Sequence, residues 1–272
     1  MALDKIAMVD LEGDRRLKGT VMIEGTMIRR TLIAAAAVFL FAHSTAALAD
    51  AENTAQGAKI IYSSQAPLTK GTTTISLDVS PNAQIGQFAI ANVISFGGSE
   101  PTITPPDGWQ LIRDDSTATT RQSLYSHQIE ANDSNAASWT FSEPVDAEGA
   151  IVLLDNVASD SPVDGSSGNT GGVGGGVLTA KSVTTTGSDL VLAFNATDFG
   201  AYRPTVCENC AGLNPELPQN ASVVINQEST PQEFWITQNY QTEAGPTQLE
   251  VSVAPQLFYW VSAQVAIKSA GD

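Results

Sequence analysis

The sequence predicts an all-β protein, a two-sheet antiparallel β-sandwich of jelly-roll or Greek-key type, and three observations carry that expectation. Several segments alternate apolar and polar residues with a period of two, which describes strands with one wet face. Other short runs are apolar at every position, as inner strands of a two-sheet stack are. Turn residues recur between these segments at about 8–12-residue spacing, and nothing after residue 49 holds a 3.6-residue apolar period over a helical length.

Residues 1–26 are polar and mixed in charge, and they precede a second start-like pattern. They are read as a non-native or mis-annotated N-terminal extension and kept out of fold reasoning. Met27, Arg29 and Arg30 then lead into the apolar run Thr31 to Ala42, followed by Ala47-Leu48-Ala49 before Asp50. A charged start, a short apolar stretch and small residues at −3 and −1 make residues 27–49 a secretory signal peptide, too short in its apolar part to span a bilayer. Residues 50–272 are therefore expected to form a single secreted β-sandwich domain, extracellular or at the cell surface, with the periplasm as the other destination. It has no membrane span, and position 50 holds no Cys for a lipid anchor.

Within that domain a polar leader, Asp50 to Gly57, precedes the strand-like Lys59-Ile60-Ile61-Tyr62-Ser63. Thr73, Ile75, Leu77 and Val79 alternate with Thr74, Ser76 and Asp78; Leu249, Val251 and Val253 alternate with Glu250 and Ser252; Tyr259 to Ile267 alternates against Trp260, Ser262, Gln264 and Lys268. Phe88 to Phe96, Ala150 to Leu154 and Leu190 to Phe194 are the inner candidates. Turns are expected at Pro81-Asn82, Gly97-Gly98, Pro105-Pro106-Asp107-Gly108, Gly187-Ser188 and Gly245-Pro246. Two long loops complete the pattern. Gly165 to Val177 is glycine-rich and reads as a surface loop, since it lacks the Gly-Lys-Ser/Thr ending of a phosphate cradle. Tyr202 to Asn220 carries prolines and both cysteines, and loops of that length in a compact domain are often functional.

From Asp50 onward seven basic residues face 24 acidic ones. Such a surface repels phosphate backbones and anionic lipid, which argues against nucleic-acid and membrane-surface partners. His127 is the one histidine of this region and Cys207 and Cys210 its only cysteines, too few for most zinc sites. The spacing Cys207-Glu208-Asn209-Cys210 matches a redox motif, but a thioredoxin-like site opens a helix. In an oxidising compartment a local disulfide is the expected state, with redox and metal roles as alternatives.

Alternation places His127 on one face with Tyr125 and Ile129, as a hydrogen-bonded sheet histidine. No Gly-x-Ser-x-Gly elbow supplies it with a nucleophile. Carboxylates for a glycosidase pair abound, and none of the 24 acids is singled out. Asp155, Asp160 and Asp164 with Asn156 are closely spaced oxygen ligands that would suit calcium, the one cofactor entertained; the spacing fits no EF-hand, and a solvated turn is the alternative. Trp260, Trp109 and Trp235 are candidates for stacking on sugars, Trp260 foremost because its face otherwise carries Ser262, Gln264 and Lys268; core packing is the alternative.

Thr104 to Ile112, Leu124-Tyr125-Ser126, Trp139-Thr140-Phe141, Gly149-Ala150-Ile151, Asn156-Val157 with Ser161-Pro162-Val163-Asp164, and the closing Trp260 to Ile267 resemble a class of bacterial exported β-sandwich (jelly-roll-like) domains of cell-surface and tail-fibre-like proteins. The resemblance implies fold and compartment and carries no catalytic residue. The resulting expectation is a secreted, non-enzymatic surface or matrix protein acting by adhesion or self-association, including as a fibre subunit. Its partners would be copies of itself or an extracellular glycan. A carbohydrate-binding module is the alternative and a secreted hydrolase the third. Self-association would use Lys59, Ile60, Ile61 and Tyr62 as a strand donated to a neighbour's open edge; completion of its own sheet is the competing placement.

Overall fold

The structure, a computed structural model, describes residues 57–98, 100–172, 176–198, 221–229, 232–248, 250–254 and 259–271. The expected extension and signal peptide lie outside them. The described strands are β1 (Lys59–Asp78), β2 (Phe88–Phe96), β3 (Ile103–Thr104), β4 (Gln110–Ser116), β5 (Thr120–Gln128), β6 (Ala136–Asp155), β7 (Val163–Gly171), β8 (Gly176–Ala180), β9 (Thr184–Thr185), β10 (Asp189–Asp198), β11 (Ser222–Ser229), β12 (Gln232–Gln241), β13 (Gly245–Pro246), β14 (Glu250–Ala254) and β15 (Tyr259–Lys268). The all-β expectation holds: a first sheet in the order β1-β6-β2-β5-β4, with β3 also on β6, packs on a second in the order β11-β12-β10-β15-β7. Two-stranded pairs, β13-β9 and β14-β8, accompany them, and all these pairings are antiparallel. The chain completes the first sheet before it enters the second.

The runs apolar at every position are the inner strands. Phe88, Ile90, Ile94 and Phe96 of β2 and Ala150, Val152 and Leu154 of β6 meet Leu190, Leu192, Phe194 and Ala196 of β10 and Val261, Ala263, Val265 and Ile267 of β15 between the sheets. The intervening residues of β2 and β6 are buried as well, because β1 and β6 are both 20 residues long and pair along their length. Past register shifts between Ala66 and Thr74, the far half of β1 pairs with the start of β6. There Ile75, Leu77, Val79, Trp139 and Phe141 form a second core against Ala89, Ala91, Val93, Ile151 and Leu153 on the outer side of the first sheet. Each large apolar side chain buried in this way contributes roughly 1.5–3 kcal/mol, so the folded-over ribbon is held by packing.

The expected surface loop Gly165 to Val177 is corrected: its larger part is β7, paired to β15 from Val163↔Ile267 to Gly171↔Trp260. Glycine and serine have weak strand propensity, but here the absence of side chains is used by neighbours. The Trp260 ring lies over Gly171, where a Cβ would stand 2.3 Å from ring atoms, and the Arg113 guanidinium lies over Gly168, where a Cβ would stand 2.0 Å from its nitrogen. Tertiary pairing thus overrides local propensity.

Candidate functional site

A cluster of polar and aromatic side chains sits at the mouth of the second core. The Pro105-Pro106-Asp107-Gly108 turn closes with the Trp109 backbone N–H donating to the Pro106 carbonyl at 3.2 Å, and Gly108 sits at φ +80°. Alternation along β5 presents Tyr125 and His127 to this core together with Ile129 beyond its end, and the start of β6 presents Trp139. Trp109 stacks on the His127 ring at 5.3 Å between centroids and 25° between planes, and meets Trp139 edge-on at 5.0 Å. Tyr125 completes the group, 5.8 Å from Trp139.

His127 is 7% exposed and is held at both nitrogens: Nε2 lies 2.7 Å from Asp133 Oδ2 and Nδ1 lies 3.1 Å from the Gly108 carbonyl oxygen. A neutral imidazole donates from one nitrogen alone, so both contacts are satisfied when the ring carries both protons. Asp133 Oδ2 also accepts the Glu130 backbone N–H at 2.6 Å. Partial burial pushes the Asp133 carboxyl up, but the Glu130 N–H and then the His127 ring outweigh it and hold the carboxyl below its ordinary range. The cluster therefore fastens the β5–β6 connection to the Gly108 turn. A pocket of about 210 Å³ opens beside it, walled by Pro106, Asp107, Trp109, His127, Asn132 and Asp133. Chemically the pocket offers the carboxylates of Asp107 and Asp133 and the amide of Asn132 for polar contacts, beside Trp109. The ring nitrogens of His127 are already committed.

The structure separates the other residues singled out from the sequence. Trp109 is 8% and Trp235 1% exposed, so as folded neither presents a ring face. Trp260 is half-buried and its ring covers Gly171. The polar face expected to be wet around it is internal: Ser262 donates to Asn195 Oδ1 at 2.6 Å, Gln264 receives the Thr247 hydroxyl at 2.6 Å, and its amide donates to the Gln248 carbonyl at 2.9 Å. Asp155, Asp160 and Asp164 do not converge. Asp155 lies 3.9 Å from Lys59, Asp160 is exposed, and Asp164 is taken by Thr186 and by Lys268 at 3.2 Å. Among the described residues no group of three or more metal-ligating side chains comes together.

Lys59, Ile60 and Tyr62 pair with Asp155, Leu154 and Leu153 of their own β6, with a bulge at Ile61. Ile60 packs on the inter-sheet core and Tyr62 on the second core, so the segment offered for donation occupies its own sheet. Cys207 and Cys210 lie outside the described residues. Nothing in the alternation points to Asp133 and Gly108 as partners of His127; the local hint is the Asn132-Asp133 turn shortly downstream.

Fold and site together define a two-sheet antiparallel β-sandwich whose polar cluster is built into its own packing. No family model, curated protein or solved structure matches the chain.

Proposed function

We propose that the chain is an exported, non-enzymatic surface or matrix protein that works by adhesion or self-association. The observation that carries this reading is the commitment of His127: both ring nitrogens are engaged and its face is stacked on Trp109, so the side chain best suited to proton transfer near neutrality serves to hold a connection in place. The acidic excess suits a solvated surface, and so does the guarding of the first sheet's edge. Edge strand β1 carries Lys59, Pro67, Lys70 and four register shifts, devices that discourage indiscriminate strand pairing. Self-association by Lys59–Tyr62 then takes the form of an exchange, in which the segment leaves its own β6 for that of a neighbour. The resemblance to exported cell-surface domains points the same way.

Light scattering and negative-stain microscopy of the mature protein test assembly, beside a panel of ester, peptide and glycoside substrates assayed with wild type and His127→Ala. Assembly without turnover supports the reading; robust turnover abolished by His127→Ala overturns it. The pocket beside Trp109 favours glycan binding as a second reading, because Asp107 and Asn132 are exposed polar groups next to an indole. Glycan binding that is lost in Asp107→Ala or Asn132→Ala, with the fold intact, would select it.

A further inference from the structure

Near one end of the second sheet three side chains from adjacent strands meet. Asp189 opens β10 and stands opposite Lys268, the last residue of β15, while Asp164 lies near the start of β7, the strand on the other side of β15. The Lys268 Nζ is 3.2 Å from Asp164 Oδ1, with the carboxylate 2% exposed and the lysine side chain 29%. Thr186 grips the same carboxylate twice, its backbone N–H donating to Oδ2 and its hydroxyl to Oδ1 at 2.8 Å. The Asp189 residue, 2% exposed, stands directly opposite Lys268 in the β10–β15 register, so its carboxyl shares the face on which Lys268 meets Asp164. The cluster therefore holds an amine, a carboxyl carbon, one fixed donor on each carboxyl oxygen, and a second, buried carboxyl group.

We propose that Lys268 and Asp164 condense in the folded protein to an intramolecular amide, an isopeptide bond, with Asp189 moving the protons and Thr186 stabilising the oxyanion. The resting pair is ionic. Burial pushes the Asp164 carboxyl up, but the Thr186 N–H and hydroxyl, Lys268 and Asp189 outweigh it and hold it below its ordinary range. A proton passes from the Lys268 ammonium to the carboxyl group, leaving a neutral amine and a neutral acid. The nitrogen lone pair then attacks the Asp164 carboxyl carbon. The carbonyl electron pair moves onto Oδ2, where the Thr186 backbone N–H meets the developing charge, while the Thr186 hydroxyl holds Oδ1, the oxygen that leaves. Asp189 takes the extra proton from the nitrogen and hands it to the departing hydroxyl, which leaves as water. Carboxylate and ammonium become one amide and one water, with no oxidant or other reagent. Fixed geometry supplies the drive that two free groups in water lack, since reacting groups held about 3 Å apart behave as though at very high concentration.

This goes beyond the adhesion reading, and its product is visible whatever the domain binds. The folded full chain, purified after export, is measured by intact-mass spectrometry against the mass calculated from its mapped N-terminus, then digested and sequenced by tandem fragmentation. The expected result is a mass lower by one water and a branched peptide joining Lys268 to Asp164, with the unmodified mass in Lys268→Arg. Folded wild type at the unmodified mass overturns the proposal, as does a water loss that persists in Lys268→Arg. Asp189→Ala should leave the residues unjoined. A bond formed to the wild-type extent in that variant overturns the assignment of Asp189.

Discussion

Replacing Gly108 by Ala strikes the candidate site at its tightest point. Gly108 sits at φ +80°, where an L-residue costs about 1–2 kcal/mol. The added Cβ would also stand 2.8 Å from His127 Cε1 and 3.1 Å from Nδ1, so the ring must move. The ring cannot move without giving up its contact to the Gly108 carbonyl or to Asp133, and a hydrogen bond to a charged group is worth about 1.5–3 kcal/mol. Gly108→Ala should therefore cost about 3–4 kcal/mol. Gly71 is the control: at φ +59°, with nothing within 4 Å of a built Cβ, it should lose only the backbone part, about 1–2 kcal/mol. Urea unfolding followed by tryptophan fluorescence measures both, with midpoints compared at unchanged m. In a His127→Ala background the ring is gone and Gly108→Ala should fall to the Gly71→Ala cost, a coupling of roughly 2 kcal/mol in the double-mutant cycle. Equal costs of Gly108→Ala in the two backgrounds would refute the reasoning.

Four further outcomes are expected. Deleting Asp50 to Ser64 removes the buried Ala58 and the packed Ile60 and Tyr62, so the product should be insoluble or unfolded by circular dichroism; a folded, soluble monomer would show the segment to be dispensable. Asp133 titrates lower in the folded than in the unfolded chain, so its contribution is complete above the ordinary carboxylate range and is lost as pH falls through the folded value. Urea midpoints between about pH 7 and 3 should thus drop less steeply in Asp133→Asn. Trp139→Ala should cost roughly 3–5 kcal/mol, whereas Trp139→Phe should cost markedly less, because the buried indole N–H has no hydrogen-bond partner among the described residues. Sequencing the exported protein should read Asp50 first, and recovery of Met1 outside the cytoplasm would contradict the signal peptide.

Much of the fold was legible because burial leaves a period. Ile75, Leu77 and Val79 point into one core as their alternation requires, and Phe88 to Phe96 is apolar throughout because both of its faces are covered. Legibility ended where pairing depends on distant chain. Gly165-Ser166-Ser167-Gly168 carries no strand signature of its own and becomes β7 through β15, roughly a hundred residues away. Ser262 and Gln264 read as a wet face because nothing local reveals that Thr247 and Gln248 will cover it. The same limit hid the candidate sites. Alternation puts His127 on a face with Tyr125 and Ile129, but its partners come from two separate turns, and Asp164, Lys268 and Asp189 come together only across three strands.

The second core has a consequence for how the amides of this protein trade hydrogen with solvent. All nine residues of β2 are buried and paired on both sides, to β5 and to β6, with a hydrophobic core above and below. No local fraying exposes such a strand, so its N–H groups exchange only when the whole sandwich opens, and their exchange free energy reports global stability directly. The Thr74–Asp78 stretch of β1 rests on one core alone and pairs on one side. The gap in protection between that stretch and β2 therefore measures how far the folded-over ribbon lifts while the sandwich beneath it stays intact.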